Sequence, residues 1–256
     1  DPGHIGGVDN FCWPNIQFDP EKNPDGRFKA AQLVRSCRAL KTACEAYGIP
    51  LLSGKDSMYV DGHLEGQFGE RVKVSALETV QFSATAVVNQ AHKCVTLAPQ
   101  AAGDRVYVLG DTANELGASE YYDLFDKTGL NVPRVDFKRF KPVYKAVQAA
   151  IEQELAASCH AVARGGLGVH LALTAMAGGL GLDISLEGLP VRKDLGAVTS
   201  SAALFSESAG RFIVTVPPVN RSAFEKRFAG MAAACIGTVT DTGRLEIRGF
   251  DGQPLA

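Results

Sequence analysis

An amphipathic stretch that ends on two stop signals constrains the fold of this chain more than any other feature. From Arg27 to Tyr47, the residues Ala30, Leu33, Val34, Cys37, Leu40, Ala43, Cys44 and Tyr47 recur at steps of three and four. That spacing predicts a helix with one apolar face. Lys29, Arg35, Arg38, Lys41 and Glu45 fall mostly elsewhere on the cylinder. Gly48 is placed to end the helix, and Pro50 prevents its continuation. Pro50 to Ser53 then predicts a short buried strand. The chain next breaks into Ser53-Gly54-Lys55-Asp56-Ser57, which reads as a polar turn. Such a turn suits phosphate handling. Gly54 lets a backbone N–H approach an anion, Lys55 brings a positive charge, Asp56 can hold a cation, and Ser57 can donate through its hydroxyl. The spacing is not that of a P-loop. A plain polar link between two elements explains the same residues.

The 256 residues accommodate one or two domains. Apolar residues make up 46% of the chain and charged residues 21%, enough for a core. A net charge of −2 argues against nucleic acid as a partner, because such binding usually needs a basic stripe. No apolar run reaches the length of about 20 residues that a membrane helix requires. Cys12, Cys37, Cys44, Cys94, Cys159 and Cys235 are scattered, without zinc spacing. With no signal peptide visible, they point to a reducing, cytoplasmic setting. Cys37 and Cys44, seven residues apart on the predicted helix, read as small core hydrophobes. The opening Asp1-Pro2-Gly3-His4 carries no Met and runs at once into a strand-like or loop-like motif. It reads as a piece that enters a larger protein part-way through a domain.

Elements of both kinds alternate along the rest of the chain. Tyr59 to Glu70 predicts a hairpin-like excursion. Strands are expected at Val72–Ala76, Gln81–Val88, Arg105–Gly110, Cys159–Ala163, Leu182–Leu186, Phe212–Val216, Cys235–Thr240 and Leu245–Arg248. Helices are expected at Pro142–Ser158, with Pro142 in the first turn, at Leu167–Ala177, and at Asn220–Phe228. The class is therefore α/β or α+β. The small-residue and proline-bearing stretch Ala91–Asp104 is the expected join between two domains, 1–99 and 100–256.

Three further groupings bear on chemistry. Val8-Asp9-Asn10-Phe11-Cys12-Trp13-Pro14-Asn15 offers acceptor oxygens for a sugar, an adenine amine or a metal, and equally an Asx turn at a strand end. Leu116-Gly117-Ala118-Ser119-Glu120-Tyr121-Tyr122 could let backbone approach a ligand, or form a packed tight turn. In Cys159-His160-Ala161-Val162-Ala163-Arg164-Gly165-Gly166-Leu167 a strand runs into a helix start, which suits an anion with help from Arg164. No carboxylate lies between Ala161 and Gly166 to hold a metal. His63, His92 and His170 read as isolated surface or core histidines.

In this order, together with Gly48-Ile-Pro-Leu-Leu-Ser-Gly-Lys-Asp-Ser-Met58 and Leu204-Phe-Ser-Glu-Ser-Ala-Gly-Arg-Phe212, these stretches resemble phosphoribosylformylglycinamidine synthase (FGAM synthetase) over nearly the whole chain. The resemblance implies an aminoimidazole-ribonucleotide-synthetase-like fold. Residues 1–99 would be the truncated end of the second A domain, and residues 100–256 the second B domain. It implies ATP and Mg²⁺ in the complete enzyme, which makes an amidine from a formamide with glutamine-derived ammonia. The implied partners are the first synthetase half, a glutaminase domain or subunit, and small nucleotide substrates. The catalytic histidine and most metal ligands would lie in the first half, so no catalytic residue and no metal ligand is expected in this chain.

Residue by residue, the resemblance makes Asp9 and Gly54 nucleotide contacts and Ser57 a substrate contact. A magnesium-binding Asn of small-type relatives is matched by Lys55, which cannot ligate the metal and would serve phosphate as a point charge. Asp56 would support it. Where the family's second B domain carries an Asp and a Ser for a retained nucleotide, this chain has Ala161 and Ala163, so that auxiliary site is expected to be weak or lost. The alternatives are a non-catalytic half that packs against the catalytic one, or another ATP-using relative such as selenophosphate synthetase or thiamine monophosphate kinase.

Overall fold

The computed structural model describes residues 5–255; the opening Asp1–His4 lies outside them. The chain forms two compact units that divide between Asn89 and Gln90. The stretch expected to join two domains belongs with the second unit. Lys93 Nζ bonds the Glu152 carbonyl at 2.9 Å, and Cys159 N–H bonds the Thr96 carbonyl at 2.9 Å.

The first unit holds β1 (Ile5–Cys12), α1 (Gly26–Tyr47), β2 (Leu51–Ser57), the hairpin β3 (Asp61–Glu65) and β4 (Arg71–Ser75), and β5 (Thr79–Ala86). β1 is the middle strand of a three-stranded sheet, parallel to β2 and antiparallel to β5. The helix stops where expected, because Gly48 takes the left-handed conformation (φ 70°) and its N–H bonds the Cys44 carbonyl. Two expectations are corrected. The strand after Pro50 is not short and buried: it runs through Ser57 with nearly every residue exposed, so Ser53–Ser57 is a strand and not a turn. Pairing with Val8–Cys12 gives its backbone partners that a turn would have to find locally. Cys37 is not a core residue but an exposed one, and α1 buries only Gly26 and Lys29. Its entry is pinned by Trp13, whose Nε1–H donates to the Lys29 carbonyl at 3.0 Å.

The second unit is a six-stranded sheet with helices on both faces. Its strands are β6 (Arg105–Leu109), β7 (Ser158–Val162), β8 (Gly181–Ser185), β9 (Arg211–Val216), β10 (Ala233–Thr240) and β11 (Leu245–Arg248), in the order β11-β8-β10-β6-β9-β7. Only the β11–β8 pairing is parallel, which makes the class α+β. The helices are α2 (Glu120–Asp123), α3 (Phe137–Glu152), α4 (Gly166–Gly178), α5 (Ser200–Phe205) and α6 (Arg221–Arg227). Alternation along β6 builds both cores. Val106 and Val108 meet Leu167 and Leu171 of α4 and Leu204 of α5, while Tyr107 and Leu109 meet Val147 of α3 and Phe224 of α6. Pro142 lies inside α3 and not in its first turn, because the helix starts earlier, where the Asp136 carboxylate accepts from the Lys138 and Arg139 N–H groups. Among the described residues, no helix is long and apolar enough to cross a membrane.

Candidate functional site

The β1–β2 pair brings the expected site residues together. Asp9 lies opposite Gly54, Asn10 opposite Lys55, Phe11 opposite Asp56 and Cys12 opposite Ser57. Side chains alternate between the two faces of a strand, so these residues sort by face. Asp9, Gly54 and Asp56 share one face with Phe11 and Phe82; Lys55 and Ser57 share the other with Asn10 and Gln81. The Asp9 carboxylate leans over Gly54. A Cβ at position 54 would stand 2.8 Å from Asp9 Oδ1, so glycine is what admits that carboxylate. On the opposite face Lys55 Nζ donates to Ser57 Oγ at 2.7 Å. The expected nucleotide group Asp9, Gly54 and Lys55 is thus divided, with Lys55 beside the expected substrate contact Ser57. The sequence groups Asn10 with Asp9 as a source of acceptor oxygens. The Asn10 Oδ1 is buried and has no hydrogen-bond partner among the described residues.

The chemistry of the strip follows from that division. Asp9 and Asp56 can accept hydrogen bonds from sugar hydroxyls or an amine. Lys55, Asn10 and Ser57 can donate to an anion. Mg²⁺ finds no cage: among the described residues no group of three His, Cys, Asp or Glu side chains could hold a metal ion.

The β7–α4 turn, also a candidate anion site, is occupied from within. The Gly165 N–H donates to Glu207 Oε1 at 2.8 Å, and the Glu120 N–H donates to the same oxygen at 3.0 Å. Arg164 is ion-paired with Glu120. The two donors expected to attract an anion therefore already have carboxylate partners. Gly166 holds φ 77°, and a Cβ there would stand 2.6 Å from the Leu204 carbonyl oxygen, so this turn requires glycine. Ala161 and Ala163 are exposed. The Leu116–Tyr122 stretch is a packed turn: the Gly117 N–H bonds the Asn131 carbonyl at 3.0 Å and the Ala118 N–H bonds that of Thr128.

Two features here were not legible in the sequence. His170 is not isolated: its Nδ1 lies 2.6 Å from His160 Nε2, and the Ala163 N–H donates to its Nε2 at 3.0 Å. Burial lowers the pKa of both rings, and for His160 the charge of His170 adds to the effect. Arg211, 1% exposed, donates to the Ser206 and Ser208 carbonyls and to Thr112 Oγ1. Burial brings its pKa down to about 10, against the pull of Glu115 and Glu207. It holds the loop that carries Glu207 to the α4 N-terminus. The Ser206-Glu207-Ser208 motif read as a family mark is thus a structural lattice.

Comparison with known proteins bears on the fold and the family. Residues 101–249 match the family described as "AIR synthase related protein, C-terminal domain". The chain is 31% identical over 224 residues to the phosphoribosylformylglycinamidine synthase subunit PurL of Limosilactobacillus fermentum, covering 87% of this chain and 27% of that protein. Among solved structures it resembles T. maritima PurL complexed with FGAR (TM-score 0.69, 16% identity, 98% of this chain and 38% of that one). It also resembles T. maritima PurL complexed with ATP (TM-score 0.65, 16% identity, 98% and 36%). At such identity these two structures speak for the fold. The chain spans about a quarter of the curated relative's length.

Proposed function

The chain belongs to the AIR synthase related family, and we propose that it is the second synthetase half of a phosphoribosylformylglycinamidine synthase. That enzyme is the ATP-dependent ligase of purine biosynthesis that converts formylglycinamide ribonucleotide to its amidine with ammonia from glutamine. The carrying observation is the 31% identity to a PurL subunit over 224 residues, a stretch too long to fit inside either unit. The complexes of T. maritima PurL with FGAR and with ATP support small-molecule ligands of those two kinds. The natural protein then works in the cytoplasm with a first synthetase half and a glutaminase domain or subunit.

In this reading Asp9, with Gly54 making room for its carboxylate, accepts hydrogen bonds from the nucleotide. Lys55 offsets phosphate charge, Ser57 donates to the ribonucleotide, and Asp56 supports the nucleotide face. ATP, when bound, supplies the phosphoryl group that activates the formamide oxygen. Among the described residues no group of three His, Cys, Asp or Glu side chains could hold a metal ion, and in this reading magnesium's ligands lie in the first synthetase half. The chain alone makes no amidine.

The test is an assay of the natural full-length protein with formylglycinamide ribonucleotide, ATP and glutamine. Phosphate release that depends on the ribonucleotide, with amidine as product, is expected. ATP hydrolysis indifferent to the ribonucleotide would refute the reading. A second reading, a packing half without a working site, draws on the self-filled β7–α4 turn. Wild-type rates after substitution of Asp9 and Ser57 would favour it.

A further inference from the structure

His160 and His170 meet where β7 turns into α4, and the backbone of that turn settles where their protons sit. The Ala163 N–H donates to His170 Nε2 at 3.0 Å, so in the neutral ring that nitrogen carries no hydrogen. The hydrogen of the ring is then on Nδ1, which donates to His160 Nε2 at 2.6 Å. His160 accepts at Nε2 and keeps its own hydrogen on Nδ1. A second backbone group stands at the same nitrogen of His170: the Arg164 carbonyl oxygen lies 3.2 Å from Nε2. That carbonyl belongs to the peptide unit whose N–H, that of Gly165, donates to Glu207 Oε1 at 2.8 Å.

One added proton has the same outcome by either route. On His170 it goes to Nε2, the bare nitrogen of that ring. On His160 it goes to Nε2, and the rings keep their bond only if His170 Nδ1 becomes the acceptor and its hydrogen moves to Nε2. Either way His170 Nε2 becomes an N–H, which cannot accept from Ala163 but can donate to the Arg164 carbonyl. We propose that the pair is a proton-operated latch on the β7–α4 turn: the neutral pair holds the Ala163 N–H, and the protonated pair releases it and holds the Arg164 carbonyl instead. Holding that carbonyl polarises the peptide unit that faces Glu207, so the acid state fastens Glu207 more firmly at the α4 N-terminus. The charged neighbours of the rings are Arg164 and Glu207 at the turn and Arg211 on β9, with Arg164 itself paired to Glu120 of α2. The α5 helix, also packed on α4, carries no ionisable side chain. β8 and β11 turn Leu182, Ile184 and Ile247 toward the α4 core, which puts Asp183, Glu246 and Arg248 on the other face of the sheet. Burial opposes the proton on both rings, and for His170 the charge of Arg211 adds to it while Glu207 favours the proton, so the exchange falls below the ordinary imidazole range. The latch stands independently of the synthase reading.

Hydrogen exchange of the natural full-length protein, resolved to single amides and corrected for the intrinsic effect of pH, reads the latch directly. Between pH 8 and pH 4.5 the protection of the Ala163 amide is expected to fall about ten-fold, the loss of one hydrogen bond, while that of the Gly165 amide holds or rises. Gly165 serves as a control that needs no variant, because a general loosening in acid lowers both amides together. Equal falls at the two positions, or no fall at Ala163, overturn the proposal. A His170→Gln variant places a side-chain oxygen where Nε2 stood and does not titrate. Its Ala163 protection is expected to stay flat across the same range; a fall as large as that of the wild type puts the proton elsewhere and overturns the proposal as well.

Discussion

Arg211 shows how one buried charge organises the loop that fills the α4 N-terminus. Three of its donors are spent on two carbonyls and one hydroxyl. Replacing it with Met would leave those acceptors buried and unpaired, at a cost of about 3 kcal/mol or more. The expected result is a large fall in the denaturant midpoint; a midpoint within error of the wild type would refute the lattice. The His160–His170 pair supplies a pH signature. Both folded-state pKa values lie below that of a free imidazole, chiefly because of burial. Below about pH 6.5 the unfolded chain therefore binds more protons than the folded one. Stability rises with pH through that region and is lost as pH falls. Thermal melts at pH 7.5 and pH 5.5 should show a smaller acid loss for a His160→Gln/His170→Leu double variant than for the wild type; equal losses would count against it. No periodicity in the sequence couples residues 160 and 170, which meet only because β7 and α4 pack together.

At the scale of elements, the sequence was most informative where local chemistry decides the outcome. The α1 stop at Gly48 depends on one left-handed glycine, and that is visible in the residues themselves. The strand identity of Ser53–Ser57 is not, because it comes from pairing with β1, far away in the chain. Polar composition here marks an exposed sheet strand, which local propensity reads as a turn. The same limit hid the division of Asp9 and Lys55 between faces: register sets it, and register is a tertiary property. The β7–α4 turn yields a prediction of its own. Ala161 and Ala163 offer no ligand, and the Gly165 N–H is held by Glu207. Isothermal titration with Mg·ADP should show no tight, magnesium-dependent binding at this turn; micromolar or better affinity that requires magnesium would contradict it.

The whole molecule is uneven in its burial. The second unit closes two apolar cores around its sheet. In the first, β2 and β5 expose nearly all their residues, and α1 exposes Phe28 and Val34. The motif order was enough to place the chain in its family; the exposed first unit could not be read from it, since an amphipathic helix looks the same in sequence whether or not its apolar face is covered. The central claim is that the β1–β2 strip serves nucleotide and ribonucleotide at separate positions. It is tested most directly by steady-state kinetics of Asp9→Ala and Ser57→Ala in the natural full-length protein. The account predicts that Asp9→Ala raises KM for ATP and Ser57→Ala raises KM for the ribonucleotide, each by about ten-fold, without loss of fold. Wild-type constants in both variants would contradict it.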